Sequence, residues 1–222
     1  MFDLNSILLI IHITLMGYWL GGDLGVYLSA NRVADASLNL DERLRFLKLA
    51  MILDMGPRSA LILMLPTGFH MTTNYGLVSL SNLNLMLIWI GALIWLSLCW
   101  AAFLFEDLPV GEIFRKIDLN VRFIMAPIIL LIALWGLFSE NSEIGLWLSI
   151  KLLLFASIIT LGITLRMVVS KWAIGFKMLR ENESIDEANN IIFTARQKAK
   201  KQALSIWAFV FICGYLGIIK LS

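Results

Sequence analysis

Long apolar runs separated by short polar connections make up most of the chain. A helix needs about 20 apolar residues to cross a hydrocarbon core about 30 Å thick, and six runs approach or exceed that length. They cover roughly 5–29, 57–75, 84–105, 121–138, 146–168 and 203–221. The pattern predicts an all-α polytopic integral membrane protein, a bundle of about six transmembrane helices.

Lysine and arginine are concentrated in three of the connections, whereas the N-terminal tail and the turns at 76–83 and 139–145 contain neither. Because cytoplasmic loops of membrane proteins carry an excess of basic residues, we expect these three connections in the cytoplasm and both termini outside. The basic residues of the connections are Arg32, Arg43, Arg45, Lys48, Arg115, Lys116, Lys171, Lys177, Arg180, Arg196, Lys198, Lys200 and Lys201, and Arg122 lies just inside the fourth span.

Two of the cytoplasmic connections are predicted to contain amphipathic helices, near 40–53 and 185–201. Each follows a capping-box pattern, Asn39 with Glu42 and Ser184 with Glu187, in which two side chains satisfy the first free amides of a helix. Such a basic amphipathic helix lies on anionic lipid headgroups or binds a partner. The chain has no internal repeat or low-complexity linker, so residues 1–222 are predicted to form a single transmembrane domain.

Composition narrows the class of protein further. The hydrophobic share is 59% and the charged share 15%, against about 45–50% and about 25% in soluble chains. This balance argues against a solvated enzyme, a disulfide-stapled secreted domain and a nucleic-acid binder. The net charge of +2 gives no sign of a polyanionic partner.

The two histidines of the chain, His12 and His70, both lie within predicted spans. With the orientation above, His12 is about 10 Å and His70 about 8 Å below the outer boundary, at 1.5 Å per helical residue. An imidazole in hydrocarbon is a functional candidate by default. Two opposed imidazoles can ligate one haem iron or share a copper ion with a thioether. The alternative is that each ring bonds a carbonyl or hydroxyl across a helix interface.

Neighbouring residues suit a bulky planar ligand. Gly17 and Gly68 leave flat helix surface beside the histidines, Trp19 is placed to pack against a cofactor, and Thr72 belongs to a polar cluster where propionates would need partners. Lys151 is at the depth of the histidines, so it either contacts an anionic ligand group or extends outward to the interface. A copper site would instead use Met16 and Met71 as soft ligands, although methionine is also a routine filler of apolar cores.

A second polar group is predicted at the opposite, cytoplasmic end of the first two spans. Asp23 and Arg58 fall at a similar level there, with Asp54 close in sequence. They are expected to form a buried ion pair between the first two helices, and such a pair mainly fixes the register of the helices.

The first span reads His12-Ile-Thr-Leu-Met-Gly17-Tyr-Trp19-Leu-Gly21-Gly22, and the second contains Pro57-Arg58 and Leu65-Pro66-Thr67-Gly68. Over about residues 8–75 this resembles the opening helices of copper-resistance-D-like proteins and of bacterial membrane-type protoporphyrinogen oxidases. The resemblance implies a helical bundle in the bacterial inner membrane that uses first-helix histidine chemistry, with haem b or copper. The last four spans have no counterpart in it.

We therefore expect a haem b-binding electron-transfer protein with His12 and His70 as axial ligands near the outer leaflet. It would link a quinone pool or a membrane dehydrogenase to a periplasmic acceptor such as cytochrome c. A copper-handling permease and a non-redox membrane anchor subunit are the alternatives. No catalytic motif is visible in the sequence, so a role in an enzyme would be that of a redox subunit.

Overall fold

The computed structural model describes residues 3–139, 142 and 144–219, and all the regular elements in these ranges are α-helices. The helices are α1 (Leu4–Val33), α2 (Leu40–Asn74), α3 (Asn82–Leu104), α4 (Pro109–Phe138), α5 (Leu146–Val169), α6 (Lys171–Arg180) and α7 (Ile185–Ile219). Within the described ranges six helices, α5 being counted together with α6, are long and apolar enough to cross a membrane. The predicted all-α class is confirmed, and the number of helices that could span a membrane equals the predicted six, as in a multi-pass membrane protein. The side on which the termini lie stays a prediction.

Parts of one predicted turn and of the last predicted span fall outside the described residues. These are residues 140, 141 and 143 of the turn at 139–145, and residues 220–221 at the end of the last predicted span.

The two predicted amphipathic segments are helical, but each continues directly into a membrane span. Residues 40–53 form the first part of α2, and 185–201 form the first part of α7, each a helix of 35 residues. Such a helix is about 52 Å long at 1.5 Å per residue, so its end projects well past a hydrocarbon core of about 30 Å. These segments are therefore extensions of the bundle and not separate helices.

One of the two predicted capping boxes is present. The Asn39 side chain accepts from the Glu42 amide at 2.9 Å, and Glu42 accepts from the Asn39 amide at 3.4 Å. Ser184, by contrast, has a φ of 32°, which is not the extended conformation of a capping serine. The second box was wrong because the chain turns through the left-handed region at this residue.

The helical extensions pack together in a core of their own. It contains Val33 from the end of α1, Trp172 and Phe176 from α6, and Ile192 from α7, and residues of α2 such as Leu44 pack against it. Much of the apolar surface of the extensions is therefore covered by protein and not by lipid headgroups. A larger core, which includes Trp19, Ile62 and Ile159, fills the bundle itself.

Helices α1 and α2 pack closely and antiparallel. A Cβ atom on Gly22 would lie 2.6 Å from Pro57 Cδ, and one on Gly25 would lie 2.9 Å from Leu53 Cδ1. At Gly22 only glycine fits without displacing α2, whereas the close neighbour of Gly25 is the flexible end of the Leu53 side chain, which can move aside. The same alignment brings residue 12 of α1 opposite residues 67 and 68 of α2.

Candidate functional site

His12 meets α2 at two consecutive residues. Its Nδ1 lies 2.9 Å from the Thr67 hydroxyl oxygen, and its Cε1 lies 3.5 Å from the position a Cβ on Gly68 would occupy. Thr67 is almost completely buried, and it precedes His70 by about one helical turn, or about 4.5 Å along the axis. This placement agrees with the common depth expected for the two histidines.

The hydrogen bonds of Thr67 favour one tautomer of His12. The Thr67 hydroxyl has one hydrogen and lies 2.8 Å from the Leu63 carbonyl oxygen and 3.2 Å from the Met64 carbonyl oxygen. Donation to either carbonyl makes Thr67 the acceptor from His12, whose Nδ1 is then the donor. In the neutral imidazole this leaves a lone pair on Nε2, the arrangement that a metal-ligating histidine needs.

His70 has a different partner. The Trp89 indole Nε1 on α3 donates to His70 Nδ1 at 3.4 Å, and the two rings are edge to face with centroids 6.4 Å apart. A neutral His70 that accepts at Nδ1 carries its proton on Nε2. The two histidines are thus held by separate partners, and the structure presents only His12 with a free Nε2 lone pair.

Lys151 on α5 lies beside this end of α1, as its predicted depth suggested. Its ammonium group is within electrostatic range of His12, and it lies 5.4 Å from the centroid of the Trp147 ring. A Cβ on Gly217 of α7 would be 3.3 Å from the Lys151 Nζ. Among the ion pairs of the described residues, none involves Lys151.

Helix α7 also borders this region, which sequence reasoning missed. The Met16 sulfur lies 3.1 Å from where a Cβ on Gly214 would be, and the Cys213 thiol faces the Lys151 carbonyl at 3.9 Å. The spacing of Gly214 and Gly217 was the available signal, because small residues about one turn apart let membrane helices approach closely.

Gly17, Trp19 and Thr72, the other predicted cofactor-binding residues, each have surroundings different from those of His12 and Lys151. Nothing lies within 4 Å of a Cβ placed on Gly17, whereas Trp19 is buried in the main core. The Thr72 hydroxyl donates to the Phe69 carbonyl at 2.9 Å. The His12 Cε1 lies 3.5 Å from the position of a Cβ on Gly68, and a role of Gly68 in ligand binding stays a prediction.

The predicted ion pair between Asp23 and Arg58 was also wrong. Arg58 donates from Nε to Asp54 at 2.6 Å, one turn earlier on the same helix. The indoles of Trp19 and Trp207 surround Asp23, although Trp207 Nε1 makes no well-formed hydrogen bond to any described residue. Asp54 is four residues before Arg58 on the same helix, where two side chains can meet whatever the packing between helices. Arg58 therefore pairs with Asp54 and not with Asp23.

A second polar cluster, formed by α3, α4 and α5, was not recognised from the sequence. Asp118 is fully buried and accepts from Trp95 Nε1 at 2.9 Å and from Arg166 Nη2 at 2.6 Å. It also accepts from Arg122 Nε at 3.3 Å. The available signal was Asp118 and Arg122 themselves, an acid and a base four residues apart at the start of an apolar run.

Comparison of the chain with protein-family models, with curated proteins and with solved structures found no match. The resemblance of residues 8–75 to copper-resistance-D-like proteins stays a prediction.

Proposed function

We propose that this multi-pass membrane protein binds haem b at the His12 end of the bundle and transfers electrons near the outer face of the bacterial inner membrane. In this role it would connect a quinone pool or a membrane dehydrogenase to a periplasmic acceptor such as cytochrome c. The observation that carries the proposal is the orientation of His12. Its Nδ1 lies 2.9 Å from the Thr67 hydroxyl oxygen, and donation to that oxygen leaves the lone pair of this half-buried imidazole on Nε2.

Lys151 adds support because its charge has no carboxylate partner among the described residues. Burying a cation without a counter-ion is costly, and a haem propionate would supply the missing negative charge. His12 would then hold the iron and Lys151 would orient the propionate. The bound haem supplies one-electron chemistry, while the protein supplies ligation, burial and position.

The residues fit this group in part. His12 and Lys151 have the required chemistry, whereas His70 presents the wrong nitrogen while Trp89 donates to its Nδ1. The His12 ring also fills the space beside Gly68. A bis-histidine site therefore requires His70 to exchange its Trp89 hydrogen bond for the metal.

A copper-handling protein is the second candidate, and the position of Met16 favours it. This thioether is one turn from His12 and packs against Gly214 of α7, the residue that follows Cys213 in sequence. Imidazole, thioether and thiol groups together suit copper(I). The remaining alternative is an anchor subunit that carries no redox group.

The deciding experiment is the visible spectrum and metal content of the full chain purified in a mild detergent. A Soret band with sharp α and β bands after reduction supports haem. Copper without a Soret band supports the second candidate, and neither signal supports the anchor subunit and overturns both metal proposals.

Variants then assign the ligands. We expect His12→Ala to abolish the haem spectrum and Thr67→Val to weaken haem retention, because the imidazole loses the acceptor that orients it. Thr160→Val is the matched control, since its hydroxyl also donates to a carbonyl four residues earlier, at 2.9 Å. A normal low-spin spectrum in His12→Ala removes His12 from the axial role, and the same result in His70→Ala removes His70.

A further inference from the structure

Three arginines meet at the end of the bundle that carries the basic connections. Arg58 and Arg122 lie near the first residues of the second and fourth predicted spans, and Arg166 lies near the last residues of the fifth. Arg166 is within electrostatic range of both Arg58 and Arg122. All three therefore lie near the level where the hydrocarbon core gives way to the headgroups.

Two carboxylates are the direct partners of the three arginines. Arg122 and Arg166 share the single carboxylate of Asp118, and Asp54 pairs with Arg58. A third carboxylate, Asp23, lies within electrostatic range of Asp54, but among the described residues it forms no ion pair with an arginine of this cluster. Arg58 is also within electrostatic range of Asp118, so the two ion pairs belong to one cluster.

One donor of the cluster is unused. Arg122 is 5% exposed, and its Nη2 has no hydrogen-bond partner among the described residues. The Arg122 guanidinium packs over the Trp95 ring at 5.5 Å, and its Nε is already engaged with Asp118. Leaving a charged donor buried without an acceptor is costly, so this atom indicates a missing acceptor.

The cluster can be reached from outside the bundle. About 30% of the Arg58 side chain and 28% of the Arg166 side chain are exposed, while Arg122 lies deeper. Guanidinium groups recognise phosphate through paired hydrogen bonds. Basic pockets between transmembrane helices on the cytoplasmic side are typical binding sites for lipid headgroups.

We infer that Arg58, Arg122 and Arg166 bind a phosphate group, and that an anionic phospholipid supplies it. The phosphate would enter beside the exposed parts of Arg58 and Arg166 and accept from Arg122 Nη2, which requires the side chains covering this atom to move apart. The level of the cluster near the headgroups favours a lipid over free phosphate, since lipid phosphates are concentrated there. This site is separate from the His12 region and does not depend on the proposed haem.

The test is native mass spectrometry of the full chain in a neutral detergent. The chain is titrated with phosphatidylglycerol or with phosphatidylcholine of the same acyl chains. We expect at least tenfold tighter binding of one phosphatidylglycerol. Both lipids offer the same phosphodiester oxygens, but the choline of phosphatidylcholine cancels the phosphate charge and would bring a cation next to three arginines, which is unfavourable. Equal binding of the two lipids would overturn the proposal.

Variants locate the site. Arg122→Lys keeps the charge beside Asp118 but lacks Nη2, and we expect it to lose about tenfold in phosphatidylglycerol affinity. Arg45→Lys, the same change at an exposed position of α2, is the control and should bind like the parent chain. If Arg122→Lys does not fold, Arg58→Lys replaces it, because the Arg58 pair is partly exposed. Unchanged lipid selectivity in the folded variant contradicts the inference.

A parallel titration with inorganic phosphate identifies the source of the phosphate group. Stabilisation by phosphatidylglycerol alone, followed as the melting temperature, supports the lipid. Equal stabilisation by inorganic phosphate that Arg122→Lys abolishes keeps the phosphate site but overturns the lipid assignment.

Discussion

His12 Nδ1 and the Thr67 hydroxyl lie 2.9 Å apart across the interface of α1 and α2. This contact joins the first histidine to a threonine whose own proton is donated to the Leu63 or the Met64 carbonyl. It ties the two helices together at the depth of the candidate site and directs the Nε2 lone pair away from Thr67. The same bond therefore serves stability and the chemistry of the imidazole.

Replacing Thr67 with Val should destabilise the bundle by about 1 kcal/mol, in the range of interhelical hydrogen bonds in membranes. The reason is that the His12 N–H loses its acceptor in an apolar interface. Unfolding in mixed micelles with increasing sodium dodecyl sulfate measures the difference. Thr160→Val should change the midpoint much less, and equal losses in the two variants would contradict a role for the His12 contact.

Asp118→Asn should be far more damaging. Removing the carboxylate leaves Arg122 and Arg166 without their shared counter-ion, and breaking a buried pair costs about 3–5 kcal/mol. We expect a large fall in the yield of folded protein on size-exclusion chromatography. On the same helix, Glu112→Gln removes an exposed pair with Lys116 and should leave the yield unchanged, because such pairs contribute about 0–1 kcal/mol.

Gly22→Ala should separate α1 from α2 locally. The new methyl group would lie 2.6 Å from Pro57 Cδ, and overpacking of this kind costs about 1–3 kcal/mol. Gly21→Ala, whose methyl group would have no neighbour within 4 Å, is the control. The midpoint of unfolding in detergent is measured for both variants. Equal midpoints for Gly22→Ala and Gly21→Ala would contradict the close packing of α1 against α2 at Gly22.

Asp54→Asn should destabilise the protein more than Asp23→Asn. The first change takes the partner from Arg58 and should cost about 1–2 kcal/mol for this partly exposed pair. Asp23 faces the like charge of Asp54, so its neutralisation relieves repulsion. Detergent unfolding midpoints measure the difference, and we expect the lower midpoint for Asp54→Asn. A lower midpoint for Asp23→Asn would contradict the pairing of Arg58 with Asp54.

The topology is tested with single cysteines in a background lacking Cys99 and Cys213. Ser79→Cys, in the turn between α2 and α3, should react with an impermeant maleimide on intact cells. Ala36→Cys, in the connection between α1 and α2, should react only after permeabilisation. Both residues are exposed, so the contrast reports sidedness. The opposite labelling would place the termini in the cytoplasm.

The number of spans and the helical class follow from the sequence because hydropathy is a local property. An apolar run of about 20 residues must hydrogen-bond its own backbone in lipid, and a helix does so without partners. The cap at Asn39 was predictable for the same reason, since its partner Glu42 is three residues away. The level of His12, His70 and Lys151 followed from counting residues along these helices.

The partners of the polar side chains were decided by the tertiary structure. Which face of a helix meets which neighbour depends on rotation and register, and these are set by packing contacts such as Gly22 against Pro57. The pairing of Asp118 with Arg166 joins residues 48 positions apart, and no local pattern links them. The sequence by itself therefore determined six apolar helices long enough to cross a membrane and the two histidines within them. Packing decided that His12 contacts Thr67 and that His70 contacts Trp89.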